Sequence, residues 1–162
     1  LAGLKPGEAD CVVIAGMGGE LIIHILEEGR RLWDTIGYWV LSPQSELDKV
    51  RRFLEKESFS IARETMMKED GKYYTVMGVT RDGISWDYTS EPHYLYGGRL
   101  IRQKSPVLAE FLKKEQEQLE QILDTLKDSD TPAALNRRGE MEAMLAWNKE
   151  AQDEMLGTDT EA

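Results

Sequence analysis

The sequence predicts an α/β fold: the later half of an open sheet, closed by an antiparallel hairpin and followed by an α-helical hairpin. Three observations carry this. Apolar β-branched runs alternate with amphipathic helical patterns over the first 56 residues, the signature of parallel strands joined by helices. Two further apolar runs then flank Asp70-Gly71, a turn pair that tolerates the positive φ of a tight hairpin. From Ser105 onward the apolar residues recur with gaps of four and three, the spacing of a helical seam.

Taken in order, Ala9 to Ile14 is β-branched and bounded by Pro6-Gly7, and reads as a buried strand. Gly18 or Gly19 begins a helix carrying Leu21, Ile22, Ile23, Ile25 and Leu26 and ending at Gly29; it is apolar around most of its circumference, as suits a helix covered on several sides. Tyr38 to Leu41 is a second buried strand, closed by Ser42-Pro43. Glu46 to Lys56 places Leu47, Val50, Phe53 and Leu54 on one helical face. Phe59 to Met67 and Tyr73 to Thr80 are the hairpin strands, and Arg81-Asp82-Gly83 a second turn; Ile84 to Tyr96 is aromatic and irregular and takes no assignment. Two parallel strands and a hairpin make a thin sheet, and the chain opens at Leu1 without an initiator Met, so further strands are expected to precede it.

Ser105-Pro106 and Thr131-Pro132 each give an N-cap followed by Pro at the first helical position. Between them Leu108, Leu112, Glu115, Leu119, Ile122 and Leu126 form a seam with one polar interruption; Met141, Leu145 and Met155 mark the second helix. The expected organisation is a sheet-bearing domain over 1–98, a coiled-coil-like helical hairpin over 99–156 and a disordered tail over 157–162.

Composition removes several functional classes. A net charge of −10 reads against nonspecific nucleic-acid binding, which draws on clustered Lys and Arg. Arg99, Arg102, Lys104, Lys113 and Lys114 nevertheless form a basic island, readable as a phosphate contact or as a solvated face. One cysteine, Cys11, excludes an internal disulfide framework and fits a reducing, cytoplasmic setting. With only His24 and His93 beside it, the usual zinc ligand count is not met. No apolar run reaches the ~20 residues of a membrane-spanning helix.

The chemistry-bearing stretch is "CVVIAGMGGELIIHIL". In open α/β sheets ligands bind beyond the carboxyl ends of the strands, and glycines there let a ligand approach bare backbone. Gly16-Met17-Gly18-Gly19 matches neither G-x-G-x-x-G nor the phosphate-loop pattern, which disfavours a phosphate cradle and favours a flat guest. Two readings stay open: a ligand-facing loop, or a tight strand–helix turn. Met17 likewise either fills a core gap or contacts a guest.

"DCVVIAGMGGELIIHIL", "WVLSPQSELDKVRRFL" and "IARETMMKEDGKYYTVMGV", in that order over Leu1 to about Gly98, resemble the bacterial tRNA (adenine(22)-N(1))-methyltransferase family. The resemblance implies a class I methyltransferase (Rossmann-like) sheet entered at its fourth strand, S-adenosylmethionine as cofactor and tRNA as partner. It implies that Gly16, Met17, Gly18 and Gly19 position substrate and donor, and that Asp10, Ala15 and Gly16 face the cofactor. Met17, Pro43 and Gln44 would face the substrate base; Ser42-Pro43-Gln44 stands where many members have Gln-Pro-Asn. Arg99, Arg102, Lys104 and Lys113 would meet tRNA phosphates. The family's acidic glycine loop and ribose-holding acid are not in this sequence, so this chain by itself is expected to bind the cofactor weakly or not at all, and to self-associate through an exposed sheet edge. Two rivals are a nucleotide-binding half-domain of an oxidoreductase, which would want a dinucleotide fingerprint, and a noncatalytic module whose helical hairpin pairs with another protein.

Overall fold

The computed structural model describes residues 1–82 and 88–157. The turn predicted at Gly83, most of the unassigned stretch before Tyr88 and the tail from 158 lie outside the described residues. The chain divides into two compact units, Leu1–Leu100 and Ile101 onward.

The first unit is built on strands β1 (Cys11–Met17), β2 (Tyr38–Pro43), β3 (Ser60–Glu69) and β4 (Lys72–Thr80), in the sheet order β1-β2-β4-β3. β1 and β2 run parallel, joined through helix α1 (Gly19–Glu28); β2 connects through α2 (Leu47–Lys56) to the antiparallel pair β3–β4. Alternation sends Trp39, Leu41 and Pro43 of β2 to a buried face, where Trp39 and Leu41 share one core cluster with Ile22 and Leu26 of α1 and Val50 and Leu54 of α2. Burying such side chains is the main stabilising term here, at about 1.5–3 kcal/mol each.

The reading of the first strand as buried is corrected. β1 runs on to Met17 and lies at the sheet edge, paired with β2 alone among the described strands. Ile14 is therefore 5% exposed on the helix side while Val13 is 65% exposed on the other. Leu21 of α1 is also largely exposed, in keeping with a helix apolar on several sides.

α2 packs with a charge inside its apolar stripe. Arg51 lies one turn from both Leu47 and Leu54, and is buried. Its Nε and Nη2 donate to Glu64 Oε1 at 3.0 and 2.6 Å, and its Nη1 donates to the carbonyls of Tyr94 and Leu95 at 2.6 and 3.0 Å. Those carbonyls belong to a π-helical turn, His93–Gly97, leading into the short helix α3 (Gly98–Arg102). Gly97 closes the turn at φ +94, and a Cβ there would stand 2.7 Å from the Glu64 carboxylate, so no other residue fits without displacing the pair.

The second unit is an antiparallel helical hairpin of α4 (Pro106–Leu126) and α5 (Pro132–Leu156). Ser105 and Thr131 cap them, their hydroxyls accepting from Leu108 N at 3.3 Å and Ala134 N at 3.2 Å. Leu108, Leu112 and Leu119 are buried against a second helix whose buried positions include Met141, Asn148, Ala151 and Met155. The polar interruption at Glu115 has its reason: buried Asn148 donates to Glu115 Oε2 at 2.8 Å and to the Leu112 carbonyl at 2.9 Å. Gln152 continues the ladder to Asn148 Oδ1 and Gln116 Oε1. Amide pairs of this kind match only in one register, which a purely apolar seam would not enforce.

Candidate functional site at the carboxyl rim of the sheet

The rim is formed where β1 and β2 end. Ala15 pairs with Ser42 and Met17 with Pro43, so Gly16 is an extra residue bulged out of the parallel ladder. It sits at φ +78, a conformation strained for any residue with a side chain. Among the described residues no heavy atom lies within 4 Å of where its Cβ would stand.

Gly18 and Gly19 do something else. A Cβ on Gly19 would meet the Ser45 carbonyl at 2.6 Å and the Glu46 carbonyl at 2.8 Å. The backbone passes that closely because Gly19 N donates to Ser45 O at 3.0 Å. A Cβ on Gly18 would meet the Ser45 hydroxyl at 2.9 Å, a side chain able to rotate away. The two readings left open for this bend thus divide between its glycines: Gly16 faces open space, and Gly19 serves tight packing of one turn on another.

The loop after β2 supplies what α1 needs. Glu46 adopts a left-handed conformation at φ +49, and its Oε2 accepts from Ser45 Oγ at 2.7 Å and from Glu20 N at 3.4 Å. These bonds, the serine hydroxyl first, hold the Glu46 carboxyl below the usual carboxylate range. A carboxylate at a helix N-terminus is favoured by the free N–H groups and the helix dipole. With that terminus already holding an internal anion, a phosphate is unwelcome, as the missing phosphate-loop pattern implied. Gln44 N donates to the Met17 carbonyl at 3.0 Å and Ser42 Oγ to the Thr75 carbonyl at 3.0 Å, so β1, β2 and β4 are stitched together at this rim.

The predicted site residues fare differently. Ala15 and Gly16 are exposed at the rim, beside the free edge of β1. Met17 is half-buried and packs against the core, and its carbonyl is engaged by Gln44. Pro43 is buried; Gln44 is exposed next to it. Asp10 is not brought to this place: it precedes β1, and six residues of extended chain separate it from Gly16 by roughly 20 Å. Its carbonyl instead receives Gly37 N and Tyr38 N at the amino end of the sheet. Asp10 and Gly16 thus stand at opposite ends of β1.

Among the basic residues, Arg99 is half-buried with its Nε donating to the Ile61 carbonyl at 2.7 Å, and Lys104 donates to the Gly157 carbonyl at 2.9 Å. Both cations are engaged in the fold. Arg102, Lys113 and Lys114 are exposed. Sequence reasoning missed Ser45 and Glu46, whose signal was a Ser-Glu pair directly before an apolar helix. It also missed Arg51, whose signal was a charge inside the α2 stripe. Among the described residues no group of three His, Cys, Asp or Glu side chains is placed to hold a metal, and no helix is long and apolar enough to cross a membrane.

A family model for tRNA (adenine(22)-N(1))-methyltransferases matches residues 1–150. The tRNA (adenine(22)-N(1))-methyltransferase of Bacillus subtilis is 36% identical over 120 residues, covering 72% of this chain and 49% of that protein. The chain therefore spans about half the length of this relative. The crystal structure of the Bacillus subtilis m1A22 tRNA methyltransferase TrmK superposes with a TM-score of 0.73 at 31% identity, over 91% of this chain and 65% of that one. Streptococcus pneumoniae Sp1610, solved in complex with S-adenosyl-L-methionine, gives 0.72 at 30% identity over 88% and 59%. The chain belongs to the tRNA (adenine(22)-N(1))-methyltransferase family, and its α/β sheet is of the Rossmann-like methyltransferase kind.

Proposed function

We propose that the full-length enzyme carrying these residues methylates N1 of an adenine in tRNA, in the cytoplasm, with S-adenosylmethionine as donor. Family membership supports the reaction class, and Sp1610 supports the donor. The single observation in this chain that carries the reading is Gly16: a positive-φ residue with open space where a side chain would stand, at the carboxyl rim where such sheets bind their ligands.

The residues present fit one side of the donor. Bare backbone at Ala15 and Gly16 admits a flat group, and the nearby carboxylates of Glu20 and Glu46 suit a cationic centre better than an anionic one. When bound, S-adenosylmethionine supplies a methyl group already activated by the sulfonium. What remains for the chain is positioning. Adenine N1 carries a free lone pair, so no general base is needed for its attack, and an adenine held in a duplex must first be exposed. Gly16 leaves room for the guest. Gly19, Ser45 and Glu46 fix the loop that carries Gly16, while Met17 and Gln44 limit how the loop can shift. Arg102, Lys104, Lys113 and Lys114 are exposed candidates for contacts to tRNA phosphates. The free edge of β1 gives this chain on its own a route to self-association.

The test is Gly16→Val in the full-length enzyme. A Cβ there intrudes on the guest and costs about 1–2 kcal/mol of backbone strain, so methyl transfer should fall at least 100-fold while the protein stays folded by circular dichroism. Activity within a few-fold of wild type would overturn the assignment. Calorimetric titration of this chain alone should show no micromolar affinity for S-adenosylmethionine, since Ala15 and Gly16 contact only part of it.

A further inference from the structure

β3 and β4 are longer than the sheet they belong to. β2 pairs with β4 only through Trp39↔Val79, Val40↔Gly78 and Leu41↔Met77, and its end at Pro43 is level with Thr75, whose carbonyl Ser42 binds. Beyond that level β3 and β4 continue as a two-stranded ribbon, Met67↔Tyr74, Lys68↔Tyr73 and Glu69↔Lys72, closed by Asp70-Gly71 at φ +48 and +75. Three residues per strand project it by about 10 Å past the carboxyl end of β2. That is the same rim on which Gly16 stands, and β4 is two strand spacings from β1, about 10 Å sideways.

An isolated two-stranded ribbon gains little stability of its own, so its length and side chains call for another reason. Directly opposed residues share a face, and the Lys68 ammonium lies 5.5 Å from the centre of the Tyr73 ring. Lys68 is exposed, and Met67, on the opposite face with Tyr74 and Lys72, is 44% exposed. The α1–α2 side of the rim instead displays the carboxylates of Glu20, Glu46 and Asp48, with Lys49 paired to Glu20. On the ribbon Lys72 stands opposite Glu69 on the Met67–Tyr74 face, and Lys68 is the cation beside Tyr73.

We propose that the β3–β4 ribbon is a tRNA-binding element that holds the nucleotides flanking the target adenine: Tyr73 stacks on a neighbouring base, and Lys68 takes the adjoining phosphate. This rests on the methyltransferase reading above. An aromatic ring beside a lysine is the pairing that grips unpaired nucleotides without reading their sequence, as a target base drawn out of its stack requires. Tyr74, paired with Met67 on the other face, braces the ribbon and does not touch RNA.

The experiment uses the full-length enzyme and unmodified tRNA. Lys68→Ala should weaken tRNA binding at least threefold and flatten the slope of log K against log salt by about 0.7, one single-strand phosphate's worth. Tyr73→Ala should raise KM for tRNA about 10-fold with kcat within threefold, and Tyr73→Phe should restore it. S-adenosylmethionine affinity should not move in any variant. If wild type methylates tRNA and the lysine variant keeps both affinity and salt slope, or Tyr73→Phe fails as badly as Tyr73→Ala, the ribbon proposal is wrong while the functional reading stands. A wild type that methylates no tRNA overturns both.

Discussion

The sheet-bearing unit and the helical hairpin both bury polar side chains, and they do so in opposite ways. In the first, Arg51 and Glu64 are a charged pair 1% and 0% exposed, with Glu64 Oε2 finding no hydrogen-bond partner among the described residues. In the second, Asn148 and Gln152 form a neutral amide ladder. An ion pair removed from water returns little net stability, because desolvation offsets attraction. Its yield here is position: the guanidinium N–H bonds hold two carbonyls of a π-helical turn, which the Tyr94 hydroxyl also ties to Glu55 Oε2 at 2.6 Å. The ladder fixes register between two helices whose apolar contacts alone allow sliding. Charge is spent where irregular backbone must be held, and neutral amides suffice where the backbone is regular.

The largest effect expected is from Arg51→Ala. It strands the Glu64 carboxylate in the interior and should cost about 3–5 kcal/mol, read from urea unfolding; a loss below about 1 kcal/mol would mean the pair is incidental. Asn148→Ala should cost less, about 1–3 kcal/mol, since the groups it abandons include a neutral carbonyl. If it matched Arg51→Ala, the contrast between the units would fail. Gly19→Ala, with backbone atoms in its path, should destabilise by about 1–3 kcal/mol where Gly18→Ala, facing only a rotatable hydroxyl, costs less; thermal melts of the pair give the order. Thr131→Ala removes one cap and should cost about 1 kcal/mol.

The smallest effect is a pH dependence. Glu46 titrates below its ordinary range in the folded protein, so its contribution is complete above that range and is lost as pH falls through the lowered value. Glu46→Gln should therefore lower the neutral plateau slightly and so flatten the acid limb of the melting temperature. Unaltered acid sensitivity in that variant would show the α1 cap to be irrelevant.

Local signals were readable along the chain. Ser105-Pro106 and Thr131-Pro132 begin helices because a hydroxyl and a fixed φ act within one turn, and Asp70-Gly71 makes a hairpin because two residues suffice to define it. Features set by distant partners were not. The glycines of the bend looked alike in sequence, yet Gly16 faces open space while Gly19 abuts a loop 26 residues further on. Asp10 appeared to belong with Gly16 until strand direction placed them at opposite ends of β1. Arg51 was visible as an anomaly in an apolar stripe, but its partner, across the β3 register, was not. Lys104 and Arg99 read as phosphate contacts because a sequence does not reveal which carbonyls long side chains will reach.

The unpaired side of β1 has a practical consequence. Cys11, the single thiol of this chain, is exposed at the first residue of that strand. A maleimide fluorophore attached there sits on an edge strand whose outer side is unpaired among the described residues. Its emission and anisotropy would then report strand docking in real time, without engineering a label elsewhere.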